Sequence, residues 1–421
     1  MSPYLALLRN NPGYARLWFA QVISLAGDWF NIIALNTLVS RYTDGSGVAI
    51  SLLLLARFVP PLLIGPFAGV LVDRFDRKML LVWSNWLRVF VVLGFLFATS
   101  PDRLWIVYGL TLLQFILSAV FEPGQSALTP SLVGKDDLVI ANTLNSATWS
   151  VMLALGAAIG GVVAALFGTA VALVIDALSF ALAGGLIAAI RVPAGETPTT
   201  PTEHGHETGS LLEGLRFVLQ RPTTAAVLLV KGATSLGNVD ALATVYATQV
   251  FILGQDGQLS LGIMYSAFGL GAIAGPLLLN RFHDGLVRQL RRLIFIGFGF
   301  AVAGWLLVGS ATFLGMLLLA FFIRAMGGSA NWTYSNVIIQ KTVPDRYLGR
   351  VFSLDFAVFQ LSSVLSIIVH GGLVEALGAE RLSIIAWGTA LVSLMPLLAW
   401  LVMLPRMERS DARAVEALAG D

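Results

Sequence analysis

Gly69-Val70-Leu71-Val72-Asp73-Arg74-Phe75-Asp76-Arg77-Lys78 is the stretch on which the reading of this chain turns. An apolar run ends inside it, a carboxylate stands at the edge of that run, and three cations follow. A glycine at the start of such a stretch lets two helices approach closely. Asp73 is then placed to meet the positive N-terminus of a neighbouring helix, or an arginine, and so to latch one conformation. A merely basic loop accounts for Arg74, Arg77 and Lys78 but leaves Gly69 and Asp73 in register unexplained.

Outward from that stretch the chain is overwhelmingly apolar. Hydrophobic residues make up 57% of its 421 residues and charged residues only 12%, about half the charged share of a soluble domain. No soluble fold of this length hides so much apolar surface, so the surplus is expected to face lipid. There is no cysteine, hence no disulfide framework and no thiolate chemistry. A net charge of +2 gives no reason to expect nucleic acid as a partner. The segment MSPYLALLRNNPGYARLWFA lacks the short core and small-residue cleavage site of a signal peptide, so the first helix is expected to stay in the product.

A spanning helix needs roughly 20 mainly apolar residues. Twelve such runs are predicted, near 14–40, 47–72, 79–99, 103–121, 141–167 and 170–191, then 223–250, 259–280, 293–311, 313–336, 351–376 and 382–404. Pro60, Pro61, Pro66 and Pro276 lie within these runs, where kinks are tolerated. The expected fold class is therefore an all-α polytopic membrane protein. The expected domains are a six-helix half over 1–192, a flexible linker over 193–222, a second six-helix half over 223–404, and a tail over 405–421. The linker carries PAGETPTTPTEHGHETG, a composition that cannot bury a core. Its Glu203-His204-Gly205-His206-Glu207 is read as solvated rather than metal-binding.

The basic residues orient the chain. Of 26, only Arg41, Arg103 and Arg381 fall on one side and Arg57, Arg88, Lys231 and Arg324 fall within helices; the other nineteen share the side of the linker and both termini. That side is expected to be the cytoplasm of a cell (inner) membrane. The halves also repeat: GVLVDRF at 69–75 echoes PLLLNRF at 276–282, and PSLVGKDDL at 130–138 stands opposite QKTVPDRYL at 340–348. The glycine pairs Gly65/Gly69 and Gly271/Gly275 precede the first two, while Asn280 stands where the first half has Asp73. Parallel repeats about a central linker are a transporter plan.

These features resemble the major facilitator superfamily. Its signature between helices two and three runs Gly-x-x-x-Asp-Arg-x-Gly-Arg-Lys, matched here at Gly69, Asp73, Arg74, Arg77 and Lys78 and departed from at Asp76. The segments PSLVGKDDLVIANTLNSATW and VPDRYLGRVFSL resemble the branch that holds macrolide-efflux proteins and the enterobactin exporter. Exporters of the superfamily often carry a Gly/Pro motif in helix five. Here Gly156, Gly160 and Gly161 are present, with Ala157 where related chains often have proline, which leaves the direction of transport open.

A charge at the bilayer centre costs roughly 2.5–3.5 kcal/mol on insertion scales. Asp28, Glu122, Asp176 and Asp240 nonetheless lie in or beside helices, as do Arg57, Arg88, Lys231 and Arg324, a balance that points to pairing. Asp28 and Asp240 are ranked first and second as proton-coupling carboxylates because each lies in the first helix of its half. The resemblance sets those helices beside a central cavity, where Arg57, Arg88, Lys231 and Arg324 complete the candidate set. His370 is read as packing rather than relay.

The expected function is secondary active transport: proton-coupled export of a small hydrophobic or amphiphilic solute by alternating access, from a protein working as a monomer. Alternatives are a proton-independent facilitator, an importer or a lysolipid flippase; a membrane-embedded enzyme is a different class. No phosphate loop, HExxH or metal cluster is present, so no cofactor or metal is expected.

Overall fold

A computed structural model describes residues 3–134, 137–191, 211–237, 239–282 and 286–419. Among these residues every regular element is helical, and eleven helical runs are long and apolar enough to cross a membrane. One of them, Leu138–Ala188, is two helices joined end to end: Gly168 sits at φ 83° inside it. Only glycine adopts that left-handed conformation without steric cost. It divides the run into 138–167 and 169–188, each long enough to span a bilayer.

We number the spanning helices accordingly. They are α1 (Pro12–Tyr42), α2 (Gly47–Arg74), α3 (Arg77–Gly94), α4 (Pro101–Ser131), α5 and α6 as divided above, α7 (Pro222–Val250), α8 (Gln258–Leu279), α9 (Val287–Gly309), α10 (Leu314–Thr342), α11 (Asp345–Leu377) and α12 (Leu382–Ala419). Each overlaps one of the twelve apolar runs of the sequence, but α4 runs about ten residues beyond the expected 121 and α12 about fifteen beyond 404. Pro12 and Pro222 open α1 and α7, where a missing N–H costs nothing. The helix continues through Pro60 and Pro61 in α2 and through Pro276 in α8.

The chain groups into two compact units. One comprises Met1–His206 with Asp240–Ser266; the other comprises Glu207–Val239 with Ala267–Asp421. The grouping divides α7 and α8 internally rather than following the linker alone. In the first unit α1 packs along α5 and α6, and α3 lies against α6. Leu17, Ala20, Leu81, Phe121 and Ile187 form part of its core. In the second unit α9 packs on α10 and α12, and α7 on α11 and α10, around Phe298, Tyr334 and Trp400.

Large apolar side chains are also left bare. Phe67 and Trp105 are each 71% exposed and Leu166 72%. Surfaces of this kind are unfavourable in water and ordinary against acyl chains. Helices keep most backbone hydrogen bonds internal, as a bilayer demands.

Candidate functional site

The 69–78 stretch forms the turn between α2 and α3. Arg74 is the last residue of α2. Asp76 is the N-cap of α3, its carboxylate accepting from the Met79 N–H at 2.8 Å. That supplies a local reason for an aspartate where the superfamily signature has glycine. Arg77 donates to the Ala127 carbonyl at 3.1 Å and so ties the turn to α4. The side chains of Gly69 and Asp73 lie outside the described set, so the latch contact of Asp73 does too; the Glu203–Glu207 segment is likewise outside it. Of the two expected glycine pairs, Gly271 and Gly275 abut the Phe322 and Met326 carbonyls of α10, whereas Gly65 faces open space.

In the first unit, α1, α2, α3 and α6 bring four charges together. Arg88 of α3 and Arg57 of α2 both act electrostatically on the Asp28 carboxylate of α1, and Arg88 and Asp28 act on Asp176 of α6. Arg88 is 3% exposed and Asp176 wholly buried. Arg88 Nε donates to the Ser84 carbonyl and Nη2 to Asn85 Oδ1, both at 3.2 Å, which aims its guanidinium along α3. The rings of Phe180 and Phe121 lie 4.3 and 5.0 Å from it, and Phe115 lies 5.2 Å from Arg57. Such rings stabilise a cation removed from water.

Asn31, one helical turn from Asp28, donates to Asp176 Oδ2 at 2.9 Å, while Asp176 Oδ1 is buried with no partner among the described residues. Gly27 makes the approach of α1 to α6 possible. A Cβ there would stand 2.0 Å from Ser179 Oγ and 2.6 Å from Asp176 Oδ1. Asp28 itself is only half-buried, and among the described residues no hydrogen bond fixes its carboxylate. A carboxylate within electrostatic reach of two cations, with no fixed donor among the described residues, is chemically able to take up and release a proton.

Asp240, the second carboxylate of the sequence reading, accepts a hydrogen bond from Tyr265 Oη at 2.8 Å, and Arg57 lies within electrostatic reach of that tyrosine. Asp240 thus joins the first unit, where the 240–266 hairpin is held to α1, α5 and α6. Ser40 and Thr248 hydroxyls meet at 2.6 Å, Arg41 pairs with Asp256 at 2.8 Å, and Gln258 donates to Thr169 at 2.9 Å. The helix-five glycines serve this packing: Gly156 and Gly160 fit against Trp29 and Phe30 of α1, and a Cβ on Gly161 would stand 2.8 Å from the Gly262 Cα.

Lys231 and Arg324 belong to the second unit. Lys231 forms an ion pair with Asp355 of α11, donates to Asn336 Oδ1 at 2.7 Å, and lies 4.4 Å from the Trp332 ring. The side chains of this pair are 4% and 1% exposed. Asp355 was absent from the sequence candidates: it stands only four residues into the apolar run that begins at Val351, where a carboxylate reads as interfacial. Tyr265, Asn31 and Asn336 also escaped, because neutral polar residues in helices carry no distinctive spacing.

Arg324 has a different task. The helix α7 breaks after Ser235, and Arg324 donates to the Gly237 and Thr234 carbonyls at 2.6 and 3.2 Å. Ser366 donates to the Leu236 carbonyl at 2.7 Å. Carbonyls freed by the break are thereby satisfied from α10 and α11. His370 is engaged at both ring nitrogens, by Ser366 and by Thr389, and stacks near Trp305, as packing requires. Glu122 lies on the exposed face of α4, away from the described contacts of the cluster.

Lipid-facing helices with charged residues paired inside each unit define a multi-pass membrane transporter, and solved transporters share its fold. A nucleoside transporter, NupG, matches with a TM-score of 0.72 at 11% identity, over 93% of this chain and 98% of that one. A bacterial homologue of the iron transporter ferroportin in its inward-facing state matches with a TM-score of 0.71 at 12% identity, over 92% and 98%. The chain belongs to the transmembrane secretion effector family of the major facilitator superfamily, which matches residues 2–420. Among curated relatives, the uncharacterized MFS-type transporter YfiS of Bacillus subtilis (strain 168) is 28% identical over 388 residues, 89% of each chain. The enterobactin exporter EntS of Escherichia coli (strain UTI89 / UPEC) is 26% identical over 382 residues, 88% of this chain and 87% of that one.

Proposed function

We propose that this transporter exports a small hydrophobic or amphiphilic solute in exchange for protons, with Asp28 carrying the proton. The observation that carries the proposal is the Asp28–Arg57–Arg88–Asp176 cluster, in which a half-buried carboxylate lies within electrostatic reach of two guanidinium groups and has no fixed hydrogen bond among the described residues. Protonation of Asp28 frees Arg88, which acts on both carboxylates, to engage Asp176 more fully. Deprotonation draws it back. The equilibrium between two helix arrangements can follow that exchange, because each protonation state favours one of them. Outward direction is supported by the exporter relatives, and solute class by the aromatic rings around the cluster. The basic-residue asymmetry supports cytoplasmic termini, and the small linker supports a single-chain working unit.

Reconstitution in vesicles with an imposed pH difference tests this reading. A panel of macrolides, dyes, siderophores and lysolipids should include at least one solute that accumulates against its gradient only while the pH difference lasts. Downhill movement unaffected by the pH difference would identify a facilitator instead.

A further inference from the structure

The charges at one end of the first unit converge on a cleft that the transport reading does not use. It has a volume of about 760 Å³ and is open on one side, between the start of α1, the first turn of α3 and the end of α6. Arg16, Lys78 and Arg191 line it together with Pro12, Ala188 and Ile190, and among the described residues no carboxylate does. Three cations from three separate segments therefore face one volume. A loop that is merely basic, as the sequence alone implies, would splay such side chains into solvent.

The backbone adds to the same field. Two helix N-termini, those of α1 and α3, meet the cleft and carry partial positive charge, although the short helix Pro3–Asn10 ends just before α1. The C-terminus of α6 meets it too, and Arg16 already donates to its Ala189 carbonyl at 2.9 Å, which covers that acceptor and fixes the guanidinium at the rim. Exposed Pro12 and Ala188 supply an apolar wall beside the cations, with the Ile190 side chain packed into the core behind them. Exposed Trp83 stands on α3 within two turns of Lys78, in the manner of residues at the membrane–water boundary.

We propose that this cleft binds the phosphate of an anionic membrane phospholipid, with Arg16, Lys78 and Arg191 on the phosphate oxygens and the glycerol backbone along Pro12 and Ala188. Cations facing a pocket between spanning helices are suited to such headgroups. The apolar wall and the position at helix ends favour a lipid over soluble phosphate.

The full-length protein, purified in phospholipid-free detergent, provides the test. Its melting temperature is followed with added phosphatidylglycerol, phosphatidylcholine or inorganic phosphate. Phosphatidylglycerol should raise it by on the order of 4 °C at saturation, and the other two should not. The Lys78→Gln/Arg191→Gln double variant leaves the Arg16–Ala189 bond in place and should bind phosphatidylglycerol roughly 25-fold more weakly. Lys78→Arg/Arg191→Lys, which keeps both charges, should bind as the parent does, and it separates lost charge from misfolding. Equal stabilisation by both lipids, or a double variant with parental affinity, overturns the site. Full stabilisation by inorganic phosphate alone overturns the lipid assignment and leaves a soluble-anion site.

Discussion

At the scale of single residues, the buried charges differ in what holds them. Lys231 and Asp355 are desolvated together, and each depends on the other. Removing one partner of such a pair strands a charge and costs about 3–5 kcal/mol, whereas replacing both by apolar residues of similar volume is often close to neutral. Lys231→Met alone should therefore lower the melting temperature sharply, and Lys231→Met with Asp355→Leu should recover most of the loss. Equal destabilisation by the single and the double variant would mean that the pair is not a unit. Arg324 acts on backbone instead. Arg324→Leu should cost about 2–3 kcal/mol through the two carbonyls of the α7 break left without their charged donor. Its melting curve is the measurement, and an unchanged midpoint would contradict that role. Asp28, Arg57 and Arg88 were legible in the sequence because charge inside an apolar run is costly and conspicuous. Asp355 was not, because its run begins only four residues earlier, and nothing in a linear sequence says that α7 brings Lys231 to it.

At the scale of elements, twelve apolar runs were readable from length and composition alone. The Leu138–Ala188 run was readable as two because glycine and polar Thr169 interrupt its hydrophobic pattern. The break in α7 was not, since Gly237 in an apolar segment looks like any packing glycine until its neighbours are known. In the structure Gly237 lies against the Trp305 indole, where a Cβ would stand 2.3 Å from Nε1. The 240–266 hairpin beyond the break is clasped to α1, α5 and α6 by side chains that can part without unfolding a helix. If alternating access requires that clasp to open, a bond across it should stop transport. Ser40 and Thr248 hydroxyls are 2.6 Å apart, a spacing compatible with a disulfide. The chain has no native cysteine, so a Ser40→Cys/Thr248→Cys variant offers a clean assay. Oxidation should cut uptake into vesicles at least about tenfold, a coupling of the size typical for conformational locks, and a reductant should restore it. Unimpaired transport by the oxidised variant would show that the clasp stays shut through the cycle.

At the scale of the whole molecule, two units each carry their own buried charges, and the two sets are of different kinds. The first unit holds a four-charge cluster with a loosely tethered carboxylate; the second holds a tight ion pair and an arginine that braces a broken helix. That inequality is foreshadowed in the repeat, where Asn280 replaces the aspartate of the first half and instead accepts from Tyr334 Oη at 3.1 Å. On the proposed proton coupling, energy coupling falls to the first unit and structural support to the second. The most direct test is the initial rate of pH-driven solute uptake into vesicles by Asp28→Asn, beside its binding of the same solute. The account predicts that uptake responds to the pH difference at least about a hundredfold less than in the parent, the loss expected when a coupled proton site is removed, while folding, insertion and binding persist. Full pH-driven uptake by Asp28→Asn would contradict it.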